Sequence, residues 1–358
     1  MWEKLNSYIL EQIFCYLDSY ELFVVIPKVC YSWKNNLKLC VLPRALMLGI
    51  ESTDSSGDRK LTDECLHKIL IEFDLSEIVY LDLSYQLSLK DRSILNFSNY
   101  CQNLKSVNLM GCSSLNDVSL KYLSSVPNIQ SITLGLSELT GSSLHFLSRL
   151  PNLEHLHLEK LFRLRQDFLE NFMTGYPSLK VLIIRQCKLI THDFFLFLVA
   201  ETDMPVLEEL VLDGLIENKD SVRAVPDLTA EQEALRYLSL RRLGLFNLTW
   251  LNDLYLTAFL RNCNLSRLSH FQLIRCNPLM LWAVQMLLSA PNVLAFVIEG
   301  NQVISDRDLL DAMFSNRGGI FRNCCNISDQ IQRQMARSNP NIKFENRPVL
   351  AIAYHPEL

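Results

Sequence analysis

Apolar and polar positions along most of the chain follow one recurring phrase. It reads L-x-x-L-x-L-x-x-C (or N), two residues, then Leu or Ile followed by Asn, Thr or Ser and often Asp, then a second apolar run. The fullest copy is Leu104, Val107, Leu109 and Cys112, then Leu115-Asn116-Asp117, then Leu120 and Leu123. Others run through Leu179, Leu182, Ile184 and Cys187, through Leu268, Phe271, Leu273 and Cys276, and through Val293, Phe296, Ile298 and Asn301. With Ile78, Ile129, Leu153, Leu207 and Leu235 this gives nine starts, spaced 26, 25, 24, 26, 28, 28, 33 and 25 residues apart. The first half ends in period-two alternation, which predicts a short strand with one buried face. The second half has the three-to-four spacing of a helix with one buried stripe. Asn, Thr or Ser followed by Asp just before it is a helix N-cap signal. One such unit cannot bury its own apolar edge, so neighbours must stack. The expected fold class is therefore α/β: a curved solenoid with parallel strands inside and helices outside.

Two repeats are irregular. Residues 216–234 carry Glu217-Asn218-Lys219-Asp220 and Val225-Pro226-Asp227, and Thr229 with Gln232 reads as a capping box. The interval between Leu243 and Leu268 belongs to the longest spacing of the array. Insertions in a solenoid map to loops on one face, often beside a binding site. After Asn316 the pattern decays, with Cys324, Ile327-Ser328-Asp329 and Ile342 as weak echoes. Val349 to Tyr354 could form a last strand or cap. The expected organisation is residues 1–40 as a separate helical segment, 41–344 as the solenoid and 345–358 as a tail.

Residues 1–40 do not fit the repeat. A helix from Asn6 or Ser7 through Leu17 is apolar on most of its circumference. Asp18 and Glu21 form a capping pair for a second helix, Glu21 to Ile26. Pro27 is expected to end it and to suit the first turn of a third, which carries Val29, Cys30, Trp33 and Leu37 on one stripe. Three short helices are too small to be stable alone, yet hold more apolar surface than they can hide. The surplus must go to the solenoid, to a partner, or to both.

Composition narrows the function classes. The chain has 358 residues, of which 67 are Leu and only 11 are Gly. So few glycines count against glycine-lined nucleotide sites. A net charge of −5 gives no electrostatic reason to expect nucleic acid or an anionic membrane. The 275–299 stretch lacks charge between its ends, but Gln285, Ser289, Pro291 and Asn292 interrupt it, so no membrane span is expected. Eleven cysteines, an odd number with no C-x-x-C spacing, argue against a disulfide framework or a zinc ribbon. Buried thiols in a reducing compartment, with no signal peptide, point to the cytoplasm or nucleus. No nucleotide-loop, nucleophile-elbow or zinc-protease motif occurs, so no enzyme and no cofactor are expected. His155 and His157 face the same way on one strand, but His270 is four strands distant, so a solvated polar face is expected rather than a metal site.

The repeat resembles that of cysteine-containing leucine-rich-repeat proteins. The resemblance implies that Cys112, Cys187, Cys276 and Asn301 are buried and help hold the loop of a neighbouring repeat. Ser137, Leu161, Leu215 and Leu243 stand at the same place and depart from it. The N-terminal residues Leu5, Ile9, Leu10, Ile13, Phe14, Tyr16, Leu17, Leu22, Val29, Cys30 and Trp33 resemble an F-box. The family's Leu-Pro opening is replaced by Leu5-Asn6, and Pro27 adds one residue before Val29-Cys30. The layout is that of F-box/leucine-rich-repeat proteins. It implies a substrate receptor of an SCF-type cullin–RING ubiquitin ligase, docking on a Skp-family adaptor and through it on a cullin and a RING subunit. The repeats would hold the protein to be ubiquitinated. Leu5, Ile9, Ile13, Phe14, Leu17, Leu22, Val29 and Trp33 would carry the adaptor interface and the packing behind it. The alternative is a leucine-rich-repeat scaffold with no ligase link, in which residues 1–40 only cap the first repeat.

Strand alternation puts the third, fifth and seventh residues of each phrase on the concave side. From the fourth repeat on these include His155, His157 and Glu159; Val181, Ile183 and Arg185; Glu209, Val211 and Asp213; Tyr237, Ser239 and Arg241. Apolar centres ringed by charge suit protein binding. His155, His157, Glu159, Ile183, Arg185, Val211, Asp213, Tyr237 and Arg241 are the candidate substrate-binding residues, with the 216–234 insertion at their rim. No basic cluster among them suggests a phosphate-reading site.

Overall fold

The computed structural model describes residues 7–39, 44–50, 60–176, 178–200, 204–221, 223, 238–276, 279, 281–302, 304–311, 318–324 and 326–345. Leu5, Tyr237, the Thr229–Gln232 capping box and the Val349–Tyr354 segment lie outside these residues. The chain divides into two compact units, Met1–Phe172 and Met173–Leu358.

In the first unit, β1 (Ala45–Met47), β2 (Tyr80–Asp82), β3 (Ser106–Met110), β4 (Ser131–Gly135) and β5 (His155–Glu159) pair in parallel, each with the next. The register stacks equivalent leucine positions: Leu46, Leu81, Val107, Ile132 and Leu156 are aligned and buried. Between the strands run α4 (Asp63–Glu72), α5 (Asp91–Tyr100), α6 (Asp117–Leu123) and α7 (Leu144–Leu147), each against its successor. Their stripes, such as Ile94 and Phe97 of α5 or Leu120 and Leu123 of α6, are buried. This is a leucine-rich-repeat solenoid, one strand and one helix per repeat. A further helix, α8 (Gln166–Thr174), spans the division between the units.

The second unit repeats the plan in β6 (Val181–Arg185), β7 (Glu209–Asp213), β8 (Arg242–Phe246), β9 (His270–Ile274), β10 (Ala295–Glu299), β11 (Gly318–Arg322) and β12 (Ile342–Glu345). All six neighbouring pairs are parallel. Among its described residues the helices are α9 (His192–Ala200), α10 (Asp253–Arg261), α11 (Leu281–Ser289), α12 (Asp306–Asp311) and α13 (Asp329–Ser338). Among the described residues, no helix is long and apolar enough to cross a membrane.

Three expectations are corrected here. The phrase starting at Leu235 is out of frame: Leu210 pairs with Leu243 and Leu212 with Leu245. Leucines at 235, 238, 240, 243 and 245 contain two overlapping matches five residues apart. The chain uses the second, so Leu248, not Leu243, follows the strand, and the 33-residue interval lies between Leu207 and Leu240. The array also does not decay after Asn316, because β11, α13 and β12 complete it. Gly319 stands where Leu is usual, and Phe296 fills the space. A Cβ on Gly319 would run into the Phe296 ring. A row of rings, Phe271, Phe296, Phe321 and Phe344, replaces the leucine ladder, with centroids 5.2–5.4 Å apart. The third correction concerns the N-terminal helices and follows below.

After each of the strands β2 to β11 the backbone turns through a left-handed residue: φ is 58° at Tyr85, 75° at Gly111, 53° at Arg275 and 49° at Asn323. That turn aims the next side chain into the stack. Cys112 Sγ–H donates to the Leu83 carbonyl at 3.0 Å, Cys276 to Leu245 at 3.3 Å, and Asn301 Nδ2 to Leu279 at 3.2 Å. These partners belong to the preceding repeat, as the resemblance implied. Cys187 is also buried and donates to Arg185 within its own repeat at 3.5 Å. Burial pushes the Cys112 and Cys276 thiols up to about 12, so they pack rather than react.

In several repeats the Asp at the start of the helix has a second role. Asn116 caps α6 by accepting from Val118 N–H at 2.9 Å, while the Asp117 carboxylate reaches the next repeat. There it accepts from Thr140 Oγ1 at 2.5 Å and Ser143 Oγ at 2.9 Å. Asp91 does the same for Asn116, and Asp306 for Ser328 N–H. Burial opposes ionisation of Asp117, but the hydroxyl bonds outweigh it and hold its pKa below the usual carboxylate value. Asp117→Ala should cost about 1–3 kcal/mol, the scale for charge-assisted bonds at a half-exposed site. A lowered carboxylate contributes stability that is full above its unfolded pKa and lost as pH falls through the folded one. Urea titrations should therefore show the wild-type advantage over Asp117→Ala shrinking as pH falls below about 4.

Candidate protein-binding surfaces

The N-terminal helices are α1 (Ser7–Phe14), a π-turn (Glu21–Val25) running into α2 (Ile26–Val29), and α3 (Tyr31–Leu39). Asp18 and Glu21 form the expected reciprocal box: Asp18 N–H donates to Glu21 Oε2 at 3.0 Å, and Glu21 N–H to Asp18 Oδ1 at 2.8 Å. The boundaries differ from those expected. The first helix ends at Phe14, not Leu17. Pro27 does not end the second helix: it lies in the first turn of α2, where a missing N–H is tolerated. The break comes at Cys30, which is fully extended, and whose Sγ accepts from Trp33 N–H at 3.5 Å to open α3.

Leu10, Phe14, Leu22, Phe23, Val24, Ile26 and Leu37 are buried. Phe14 packs edge-on against Trp33 with centroids 6.0 Å apart. The segment docks on the first repeats. Phe23 meets Phe73 edge-on at 5.2 Å, Lys34 pairs with Glu72 at 2.7 Å, and Ser19 Oγ accepts from Met47 N–H at 3.0 Å. Part of the apolar surplus stays outside. Ile9 is 47% exposed and Val29 50%, with Tyr8, Tyr16, Val25 and Tyr31 also exposed. Of the residues assigned to the adaptor, then, Ile9 and Val29 face solvent. Ile13, Leu17 and Trp33 are half-buried, and Phe14 and Leu22 are packing. Tyr16 and Tyr31, the most exposed of the set, are apolar-surface residues that motif reasoning left out of the interface.

The open face of the first unit's sheet is polar. Asn108 Nδ2 donates to Asp82 Oδ2 at 3.2 Å. On β5, His155 is exposed and His157 half-buried, with His157 Nε2 3.4 Å and Lys160 Nζ 3.1 Å from the Glu159 carboxylate. The neighbouring His157 imidazole, aided by Lys160, outweighs burial and holds Glu159 down at about 2. Among the described residues no three His, Cys, Asp or Glu side chains gather as a metal site.

The open face of the second unit's sheet is apolar along its centre. Val211, Phe246, Ile274 and Val297 form a buried cluster, and Ile183 and Ile320 pack against it. Phe246 lies over Gly244, where a Cβ would be 2.6 Å from the ring. Ile183 and Val211, both candidates, are brought together in register, as are Arg185 and Asp213. The Arg185 guanidinium is 6.0 Å from the Phe246 ring centre, and Asp213 Oδ1 accepts from Asn247 Nδ2 at 2.7 Å. Arg241 is not on this face. The corrected frame puts it just before β8, exposed and 3.9 Å from Glu208, while Arg242 takes the inner place 3.8 Å from Glu209. Phe246 and Arg242 were missed for the same reason. The signal that finds the frame is the distance from the residue after the strand to the helix cap: four positions from Cys112 to Asn116, and again from Leu248 to Asn252. Charges along the edge are mutually paired, Arg275–Glu299 at 3.9 Å, Glu299–Arg322 at 4.0 Å and Arg322–Glu345 at 2.9 Å.

No family model matches the sequence, and no curated protein matches it. Solved structures similar to it include the yeast Rad7–Elc1 complex, at 16% identity and TM-score 0.43, covering 97% of this chain and 94% of that one. An octameric complex of Latrophilin 3, Unc5D and FLRT2 is similar at 13% identity and TM-score 0.41, over 76% of this chain and 84% of that one. A leucine-rich-repeat protein from Bacteroides eggerthii is similar at 10% identity and TM-score 0.34, over 75% of this chain and 43% of that one.

Proposed function

We propose that this chain is a non-catalytic substrate receptor of an SCF-type ubiquitin ligase. Its N-terminal helices dock on a Skp-family adaptor and its repeats hold the protein to be ubiquitinated. The observation that carries this reading is the apolar surface at Ile9, Tyr16, Val25, Val29 and Tyr31, left exposed although Phe23 anchors the same helices to the first repeats. A segment that served only as a cap has no use for a second apolar surface. The π-turn supports the motif: Ile26 N–H bonds to the Glu21 carbonyl five residues back, and such a turn takes up one extra residue, as Pro27 requires. A receptor of this kind does no chemistry. It raises the local concentration of substrate lysines near a charged conjugating enzyme.

The scaffold reading keeps one observation in its favour, the docking of Phe23, Ser19 and Lys34 on the first repeats. Co-expression separates the two. The receptor reading expects a Skp-family adaptor and a cullin to co-purify with the full chain, and the scaffold reading expects neither.

A further inference from the structure

The middle helix of the N-terminal segment has to face two ways. Its backbone is right-handed helical at Tyr20, Val25 and Ile26, and it ends where Cys30 becomes extended, so the π-turn and α2 form one continuous rod. Phe23 faces the solenoid, against Phe73. Of the five successive apolar residues Leu22 to Ile26, four are buried and Val25 is 43% exposed. Val29 is exposed as well, and one turn separates it from Val25, so the two make a ridge on one face. Among the described residues this rod holds the one helical turn that closes over five residues, from the Ile26 N–H to the Glu21 carbonyl.

We propose that this wide turn sets the rotation of the rod, so that Phe23 stays on the first repeats while Val25 and Val29 point at the adaptor. Each residue of an α-helix advances about 100° around the axis. A turn closed over five residues takes up one residue without that advance. With closure over four residues throughout, and Phe23 held on Phe73, the residues after the turn would stand about 100° further round. Val29 would leave the exposed face, and Ile26, now 4% exposed, would leave the packing. Pro27 follows the wide turn directly and has no N–H to give a regular one. Glu21 and Ile26, which close the turn, are positioning residues: they act through the direction of the Val25 and Val29 side chains. The inference rests on the receptor reading and names the element that aims its adaptor surface.

The test is the affinity of the full chain for a purified Skp-family adaptor, with two variants that change the turn by one residue. An alanine inserted between Val24 and Val25 adds a second extra residue. It should weaken binding about tenfold or more, the scale of a lost interface anchor. Deletion of Val24 combined with Pro27→Ala lets the Ile26 N–H close on Glu21 four residues back, with Phe23, Val25 and Val29 keeping their directions. That chain should bind within about threefold of the wild type, less than the loss of one anchor. Phe23 and Ser19 precede the insertion, so limited proteolysis should still find the segment of the insertion variant docked. A freed segment would mean that the turn serves packing alone, and overturns the proposal. Equal loss of affinity in both variants, or none on insertion, overturns it too and leaves the receptor reading standing. No binding by the wild type overturns the receptor reading itself, and the aiming of the rod falls with it.

Discussion

Phe296→Ala should cost about 3–5 kcal/mol, among the largest losses available to a single change in this chain. Phe296 is 2% exposed and stacks on Phe271 at 5.4 Å and against Phe321 at 5.2 Å. Its ring also occupies the room that Gly319 leaves empty. Gly319→Leu should therefore be destabilising by overpacking, about 1–3 kcal/mol or more. Together with Phe296→Leu, which restores the usual leucine at that place, Gly319→Leu should cost much less than alone. Equilibrium unfolding of the four chains gives the coupling between the sites. Additive costs would mean that the two positions do not share one space.

Phe23→Ala should cost a similar amount, about 3–5 kcal/mol, but locally. Phe23 is 3% exposed and Phe73 4%, and their edge-to-face contact is the apolar part of the link between the N-terminal helices and the first repeats. Loss of that ring leaves the part-exposed Lys34–Glu72 ion pair, worth little, and the single Ser19–Met47 hydrogen bond. Limited proteolysis should then cut between residues 7–39 and the repeats well before the repeats themselves unfold. Unchanged cleavage would show that other contacts hold the segment.

The leucine ladder was legible in the sequence because each strand buries one face and each helix one stripe, so Leu81, Val107, Ile132 and Leu156 had to recur in phase. It was illegible where a neighbour does the filling. Gly319 breaks the phrase because Phe296 has taken its volume. The frame error at Leu235 moved a strand by five residues and exchanged Arg242 for Arg241. The Asp117 link to Thr140 and Ser143 could not be read from its local signal, since a cap sequence says nothing of the next repeat. For the N-terminal helices, apolar excess was legible but its division was not. Ile9 and Phe14 are both apolar residues of one helix, and only packing against Trp33 tells the buried from the exposed.

The exposed apolar residues of the N-terminal helices are where the account is most directly tested. The measurement is the affinity of the full-length chain for a purified Skp-family adaptor, with Ile9→Glu/Val29→Glu as the comparison. Both residues are about half exposed, so the charges cost little stability, and thermal unfolding of the variant should stay close to wild type. Placed in a closely packed apolar interface, two unpaired carboxylates should weaken binding at least a hundredfold, about 2.7 kcal/mol or more. Tight binding by the wild type and its loss in a folded variant is the predicted result. No binding by the wild type, or equal binding by both, would contradict the receptor reading and leave residues 1–40 as a cap on the solenoid.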